Sequence, residues 1–342
     1  MPNESDRLDA AVLAVKRASK VCREVQSRLE DVRSISKDDK SPVTVADFAS
    51  QAIVAHTLRE ELGAVTMVAE EASAVLREQL AAGEGAIPEA VLSAVQGAWP
   101  EATMDSMLDT IDLGGADPVN DAIHGFWTLD PIDGTKGFLR GQQYAVSLGW
   151  IEDGTPIIGA LGCPNLSKDF SRDFDDPDPY GTVYMAIAGD GLAESSCDEK
   201  DTGRLTITRL PHADDEPIRT CESVESAHSK HDDSARILEH LGGAGDPARL
   251  DSQCKYAVVA RGQADAYLRL PTRKDYVERI WDHAAGSLIA IESGCAVSDI
   301  FGNSLDFGQG KGLEKNKGIV VAPAVLHGRI IGAIKALGIG AA

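Results

Sequence analysis

The sequence holds no run of about 18 apolar residues, so no membrane-crossing helix is expected. Its start, MPNESDRLDA, lacks a basic stretch followed by an apolar one, and no secretory signal is read there. Six cysteines stand at 22, 163, 197, 221, 254 and 295, without a CxxC pair. That scatter gives neither a disulfide frame nor a zinc site. Five of the six have apolar or strand-like neighbours, so reduced thiols and a cytoplasmic location are expected, with an organellar pool left open. Positive charge is also scarce, with 33 Lys and Arg against 54 Asp and Glu, a net charge of −21. Such a field repels nucleic acid and anionic membranes. An anionic ligand would have to be held by metal ions and a few local cations. The excess acid serves either solubility or life in a salt-rich habitat, and the sequence does not choose between them.

What the chain does have is length and patterned apolar content: 342 residues, 43% hydrophobic, enough for two domains. Apolar steps of three and four residues from Leu8 to Leu29 predict an amphipathic helix over 7–30. A second helix is expected over roughly Ala46 to Leu62, with Thr44 and Asp47 at capping-box spacing. VTMVAEE (65–71) reads as a short buried strand, and 72–125 as a helical excursion followed by a loop. From 126 the pattern turns to an antiparallel meander. IRTCESVES, YAVVARGQADAYLRL, GCAVSD and GIVVAP read as strands alternating with helices near 231–242, after Trp281 and over 324–337, a layered α/β pattern. The boundary is placed near 212, giving an α+β domain over 1–212 and an α/β domain over 213–342.

The informative stretch is WTLDPIDGTKGFLRG, residues 127–141. An EF-hand loop beginning at Asp130 would need a glutamate where Gly141 stands. An aspartyl-phosphate phosphatase needs its acids two apart, and here Pro131 and Ile132 separate Asp130 from Asp133. A plain surface turn remains one reading. The chemical reading uses every residue. Pro131 fixes a bend, both carboxylates and the Ile132 carbonyl can face one hard cation, and Gly134 allows close backbone approach. Thr135 can open a helix whose free N–H groups bind an anion. Two metal ions need further acids. Glu70 and Glu71 end a strand and could equally be solvated, while Asp47 and Asp282 could equally be helix caps.

Taken together, VAEE (68–71), LDPIDGT (129–135) and WDHAAG (281–286), in that order, resemble the lithium-sensitive, magnesium-dependent inositol monophosphatase superfamily. Within it, SPVTVADFASQ (41–51), DGTKGFLRGQQYAVSLG (133–149), VESAHSKHD (224–232), LDSQCKYAVVARGQADAYLRLP (250–271) and ERIWDHAAG (278–286) resemble the 3′(2′),5′-bisphosphate nucleotidase family. VAEE stands where that family commonly has VGEE, and the acidic stretches 167–180 and 190–217 have no evident counterpart.

The resemblance implies a layered αβαβα sandwich, a monomer, and Mg²⁺ held by Glu70, Asp130, Asp133, Asp282 and the Ile132 carbonyl. It implies that Asp47 and Thr135 orient the attacking water and that the Gly134–Thr135 backbone holds the scissile phosphate. His228, Ser252, Lys255 and Arg269 are then nucleotide-binding positions, although the residues alone allow surface or structural roles for all of them. The implied substrate is a small bisphosphorylated nucleotide, adenosine 3′,5′-bisphosphate, cleaved to AMP, with its phosphosulfate relative also accepted. Three rivals stay open: an inositol mono- or polyphosphate phosphatase, fructose-bisphosphatase-like sugar chemistry, and a non-catalytic nucleotide sensor. A sensor could lose acid ligands or Thr135, and all are present.

Overall fold

The computed structural model of the protein describes residues 2–29, 41–121, 123–211, 217–224, 231–271, 273 and 275–340. The expected boundary at 212 falls outside them. The first helix spans Glu4–Ser27. Asn3 Oδ1 accepts the Asp6 N–H at 2.9 Å and Asp6 Oδ2 accepts the Asn3 N–H at 3.3 Å, which closes its N-terminus. Leu8, Val12, Val15, Cys22 and Val25 are buried, as the periodicity predicts.

The second helix is Ser41–Leu62, longer than expected at its start. Thr44 and Asp47 therefore lie inside it and form no capping box. Pro42 is compatible with a helix beginning here, because a first-turn position needs no N–H partner. These two helices pack on one face of a seven-stranded sheet. Its strands are β1 (Met67–Ala69), β2 (Gly125–Asp133), β3 (Ala145–Glu152), β4 (Thr155–Cys163), β5 (Thr182–Ile187), β6 (Leu192–Ser196) and β7 (Leu205–Thr206), in that spatial order. Only the β1–β2 pair is parallel; the rest is the expected meander. Three helices, Ala74–Ala81, Ala86–Gln96 and Met104–Ile111, fill the excursion before β2.

The second sheet has five strands, β8 (Thr220–Glu222), β9 (Ala248–Arg249), β10 (Ala266–Arg269), β11 (Cys295–Ser298) and β12 (Ile319–Pro323), ordered β11-β12-β10-β8-β9. Between the sheets, the helix Ala284–Glu292 packs on β3, β4 and β5 and reaches β11. The helix Cys254–Ala260 lies against it and on β8, β10 and β12. The helices Ala324–Ala336 and His231–His240 cover the outer face. The layers run αβαβα.

YAVVA (256–260) thus lies in a helix, where the sequence reads as strand. Every residue from Cys254 to Ala260 is buried, so the helix has no polar face and its composition carries no period of 3.6. The small residues of WDHAAG serve the middle layer: a Cβ on Gly286 would stand 2.4 Å from the Tyr256 ring. All six cysteines are buried and free. Among the described residues no helix is long and apolar enough to cross a membrane.

Candidate active site

The acid-bearing stretch is a register shift in the sheet. Leu129 pairs with Leu148 and Asp130 with Ser147, but the next pair is Asp133 with Ala145. Pro131 and Ile132 together face the single residue Val146, which is a bulge; proline has no N–H to give the ladder. In a regular strand, residues three apart point to opposite faces. The extra residue changes that parity, and Asp130 and Asp133 open onto one cleft. Ser50 Oγ, from the second helix, donates to the Pro131 carbonyl at 2.9 Å and holds the bulge in place. Gly134 follows in the left-handed region at φ 89°, where a Cβ would stand 2.8 Å from the Ser252 Cβ. The short helix Thr135–Leu139 starts at once.

The cleft, counted together with the open solvent at its mouth, holds about 890 Å³ of space. Glu70, Asp130, Ile132, Asp133, Gly134, Thr135, Ser252, Lys255, Arg269 and Asp282 all line it. Asp47 does not; it is buried behind the wall, near enough to Glu70 and Glu71 to be perturbed by both, and its Oδ1 has no hydrogen-bond partner among the described residues. His228 lies outside the described residues. Asp282 ends a 3₁₀ turn, Ile280–Asp282, and the following helix is capped at His283. The N-cap alternative for Asp282 is therefore wrong.

Like charges crowd one end of this cleft. Burial, then Glu70, Asp133, Asp282 and Asp47, hold the Asp130 carboxyl well above the usual range. Burial and Asp133 push Asp282 up to about 8 against the pull of Arg269. Burial and Asp133 also raise Glu70, against a hydrogen bond with Asp130. Burial and Glu70 bring Glu71 to about 7. Burial, Glu71 and Glu70 raise Asp47. A wall of hard oxygen donors with so little neutralising charge, backed by an orphaned carboxylate oxygen, fits Mg²⁺ better than a softer metal.

The same cleft also carries cations. Lys255 is 3% exposed, with Nζ 3.4 Å from the Leu250 carbonyl and 5.4 Å from the Tyr267 ring. Burial lowers its pKa, while Asp133 and Asp251 work the other way. Arg269 Nε lies 2.8 Å from Glu278 Oε2, and Nη2 lies 3.9 Å from Asp282 Oδ2. Glu278 in turn faces His283 Nε2 at 3.2 Å, and His283 Nδ1 faces the Tyr256 hydroxyl at 2.8 Å. Against the upward push of burial, His283 and Arg269 bring Glu278 down to about 2. Glu278, Asp282 and His283 lie close enough to hold a metal ion. Glu278 and His283 are already engaged, however, so the cluster reads as a buried network that fixes Arg269.

Sequence reasoning missed Glu278, Gln253, Asp251, Tyr267 and Tyr276. The last four line the cleft, and Glu278 buttresses it. All lie in or beside the stretches quoted above, but no spacing rule says that they turn inward.

A family model described as "Inositol monophosphatase family" matches residues 3–338. The chain is 40% identical to a 3′(2′),5′-bisphosphate nucleotidase of Emericella nidulans, over 95% of this chain and 96% of that protein. It is 38% identical to a protein of the same name from Schizosaccharomyces pombe, over 96% and 94%. An inositol monophosphatase structure from Anabaena superposes with a TM-score of 0.61 at 19% identity, covering 98% of this chain and 97% of that one, which supports the fold alone. Fold, motif order and near-full-length similarity agree, and the chain belongs to the inositol monophosphatase family.

Proposed function

We propose that the protein is a magnesium-dependent 3′(2′),5′-bisphosphate nucleotidase that hydrolyses adenosine 3′,5′-bisphosphate to AMP and phosphate. One observation carries this reading: a single cleft holds an acid cluster together with the cations Lys255 and Arg269. A monophosphate has use for the acids and the ions they hold only. A bisphosphate has use for both, and the names of the full-length relatives agree with that chemistry.

Glu70, Asp130, Asp133, Asp282 and the Ile132 carbonyl would hold Mg²⁺. When bound, the ions supply Lewis-acid stabilisation of phosphoryl oxygens and ease deprotonation of water. The chain's own residues do the rest. Asp47, with its free Oδ1, and Thr135 orient the attacking water in line with the scissile bond. The N–H groups at Gly134 and Thr135 face the phosphate from a helix start. Ser252 and Lys255 hold the second phosphate, and Arg269, with its planar guanidinium, lies against the base. His228 is assigned to the same nucleotide group on the resemblance.

The test is phosphate release from adenosine 3′,5′-bisphosphate, inositol 1-phosphate and fructose 1,6-bisphosphate, with chelator-stripped protein before and after Mg²⁺. Activity on the nucleotide that returns only with Mg²⁺ supports the reading. Preference for the inositol ester gives the site to that chemistry instead, and full activity in excess chelator removes the metal assignment.

A further inference from the structure

Gln253 is a neutral, buried side chain, 2% exposed, wedged between the acid-bearing segments of the cleft. Its own N–H donates to Asp133 Oδ2 at 2.6 Å. Its Nε2 donates to the Trp281 carbonyl at 2.9 Å, one residue before Asp282. Its Oε1 accepts from Ser147 Oγ at 3.0 Å and from the Gly286 N–H at 3.3 Å. Ser147 is the β3 residue paired with Asp130. One residue thus touches Asp133 directly, the strand partner of Asp130, and the turn that presents Asp282.

These three acids arrive from different places. Asp130 and Asp133 come from the bulge in the first sheet, and Asp282 comes from the turn entering the middle layer. Their mutual repulsion works to spread them, so their separation depends on what ties the segments together. The preceding Ser252 sits at φ 71°, a conformation costly for a residue with a Cβ, and it packs on Gly134. That strained turn aims the Gln253 N–H at Asp133. A carboxamide alone among side chains of this size offers an acceptor and a donor at one planar end without adding charge. Glutamate would face the Trp281 carbonyl with a second acceptor and bring another negative charge to the wall. Leucine would leave the Gly286 N–H without its partner and Ser147 Oγ with only its 3.4 Å contact to the Trp281 carbonyl.

We infer that Gln253 is a positioning residue for the metal-holding acids, setting Asp130, Asp133 and Asp282 in one frame. The inference rests on the proposed metal chemistry and deepens it. Residues that orient metal ligands from behind set affinity as well as activity, commonly by about 10- to 100-fold.

The experiment titrates Mg²⁺ into chelator-stripped full-length protein, by calorimetry and by the Mg²⁺-induced rise in Tm, for the parent, Gln253→Leu and Gln253→Glu. Gln253→Leu should weaken Mg²⁺ binding by about 10- to 100-fold and move the rise in Tm to correspondingly higher Mg²⁺. Gln253→Glu should not restore parental affinity, although it keeps the length and the acceptor. Parental Mg²⁺ affinity in Gln253→Leu, with or without a lower metal-free Tm, overturns the inference and makes the residue a packing element only. Should that variant not fold, Ser147→Ala removes the hydroxyl that reaches both Gln253 Oε1 and the Trp281 carbonyl and leaves Gln253 in place. It should weaken Mg²⁺ binding by about two- to tenfold, the worth of one net hydrogen bond, and unchanged affinity there also overturns the inference. A parent that neither binds Mg²⁺ nor gains Tm from it overturns the metal chemistry itself, a different result from a change confined to the variants.

Discussion

The acids and the cations of the cleft are built on opposite electrostatic terms, although the two sets meet where Arg269 Nη2 lies 3.9 Å from Asp282 Oδ2. At the acid end, Glu70, Asp130 and Asp282 are raised by burial and by nearby carboxylates, Asp133 acting on all three, and Asp47 keeps an oxygen without a partner among the described residues. At the basic end, Arg269 already lies against Glu278, and Lys255 feels Asp133 and Asp251. The acids face one another with little opposing charge, whereas the cations already have acidic partners. Chemistry that develops charge belongs where the protein has left charge uncompensated, and recognition of a fixed anion belongs where the cations are pre-organised.

The largest effect expected from breaking this contrast is at the acid end. Asp133→Asn and Asp282→Asn keep shape and remove a ligand charge. The loss of about 4 kcal/mol of transition-state stabilisation would lower kcat by about 10³-fold. The metal-free Tm of Asp282→Asn should not fall, because Asp282 caps no helix and sits among like charges. Near-parental turnover in either variant would break the assignment of that end.

The acid end should also show in the pH dependence of stability. Asp282 is raised from 3.8 to about 8, and Glu71 from 4.5 to about 7. A folded-state pKa above the unfolded value favours folding at low pH, and that contribution is lost as pH rises through the folded pKa. Thermal unfolding of chelator-stripped protein should therefore show stability falling from about pH 4 toward about pH 8 through these groups. Saturating Mg²⁺ should flatten the fall. A stripped protein that gains stability over that window would contradict the picture of unneutralised acids.

The basic end should answer differently. Lys255 is almost wholly buried in a helix, so Lys255→Met, which keeps volume, is a cleaner probe than alanine. A charge-assisted hydrogen bond is worth about 1.5–3 kcal/mol, so kcat/KM for adenosine 3′,5′-bisphosphate should drop about 10- to 150-fold, mostly through KM. Inositol 1-phosphate turnover should be little changed, since that substrate has no second phosphate. Equal loss on both substrates would move Lys255 to the acid end or to the fold. The smallest effect is expected from Arg269→Lys. It keeps the charge but loses the planar guanidinium that meets Glu278 through Nε and Asp282 through Nη2, and steady-state assays should show KM for the nucleotide rising about two- to tenfold with kcat nearly intact.

The sequence by itself determined the acid-bearing motifs. Hard oxygen donors around a proline bend, followed by glycine and a hydroxyl, are local chemistry, and so are the flanking VAEE and WDHAAG stretches. It also determined the meander, whose strand-like stretches and intervening turn residues are read locally. Only the tertiary structure decided which of two local readings held. Asp47 is inside a helix because that helix begins at Ser41, and Asp282 lies before a cap that His283 occupies. Residues 254–260 are helix because two sheets enclose them, and a segment buried on every side has no periodicity to read. The parity change that turns Asp130 and Asp133 onto one cleft is visible only in the register with β3. The links from Gln253 to Asp133 and from Arg269 to Glu278 depend on where distant segments come to rest, which packing sets and sequence spacing does not.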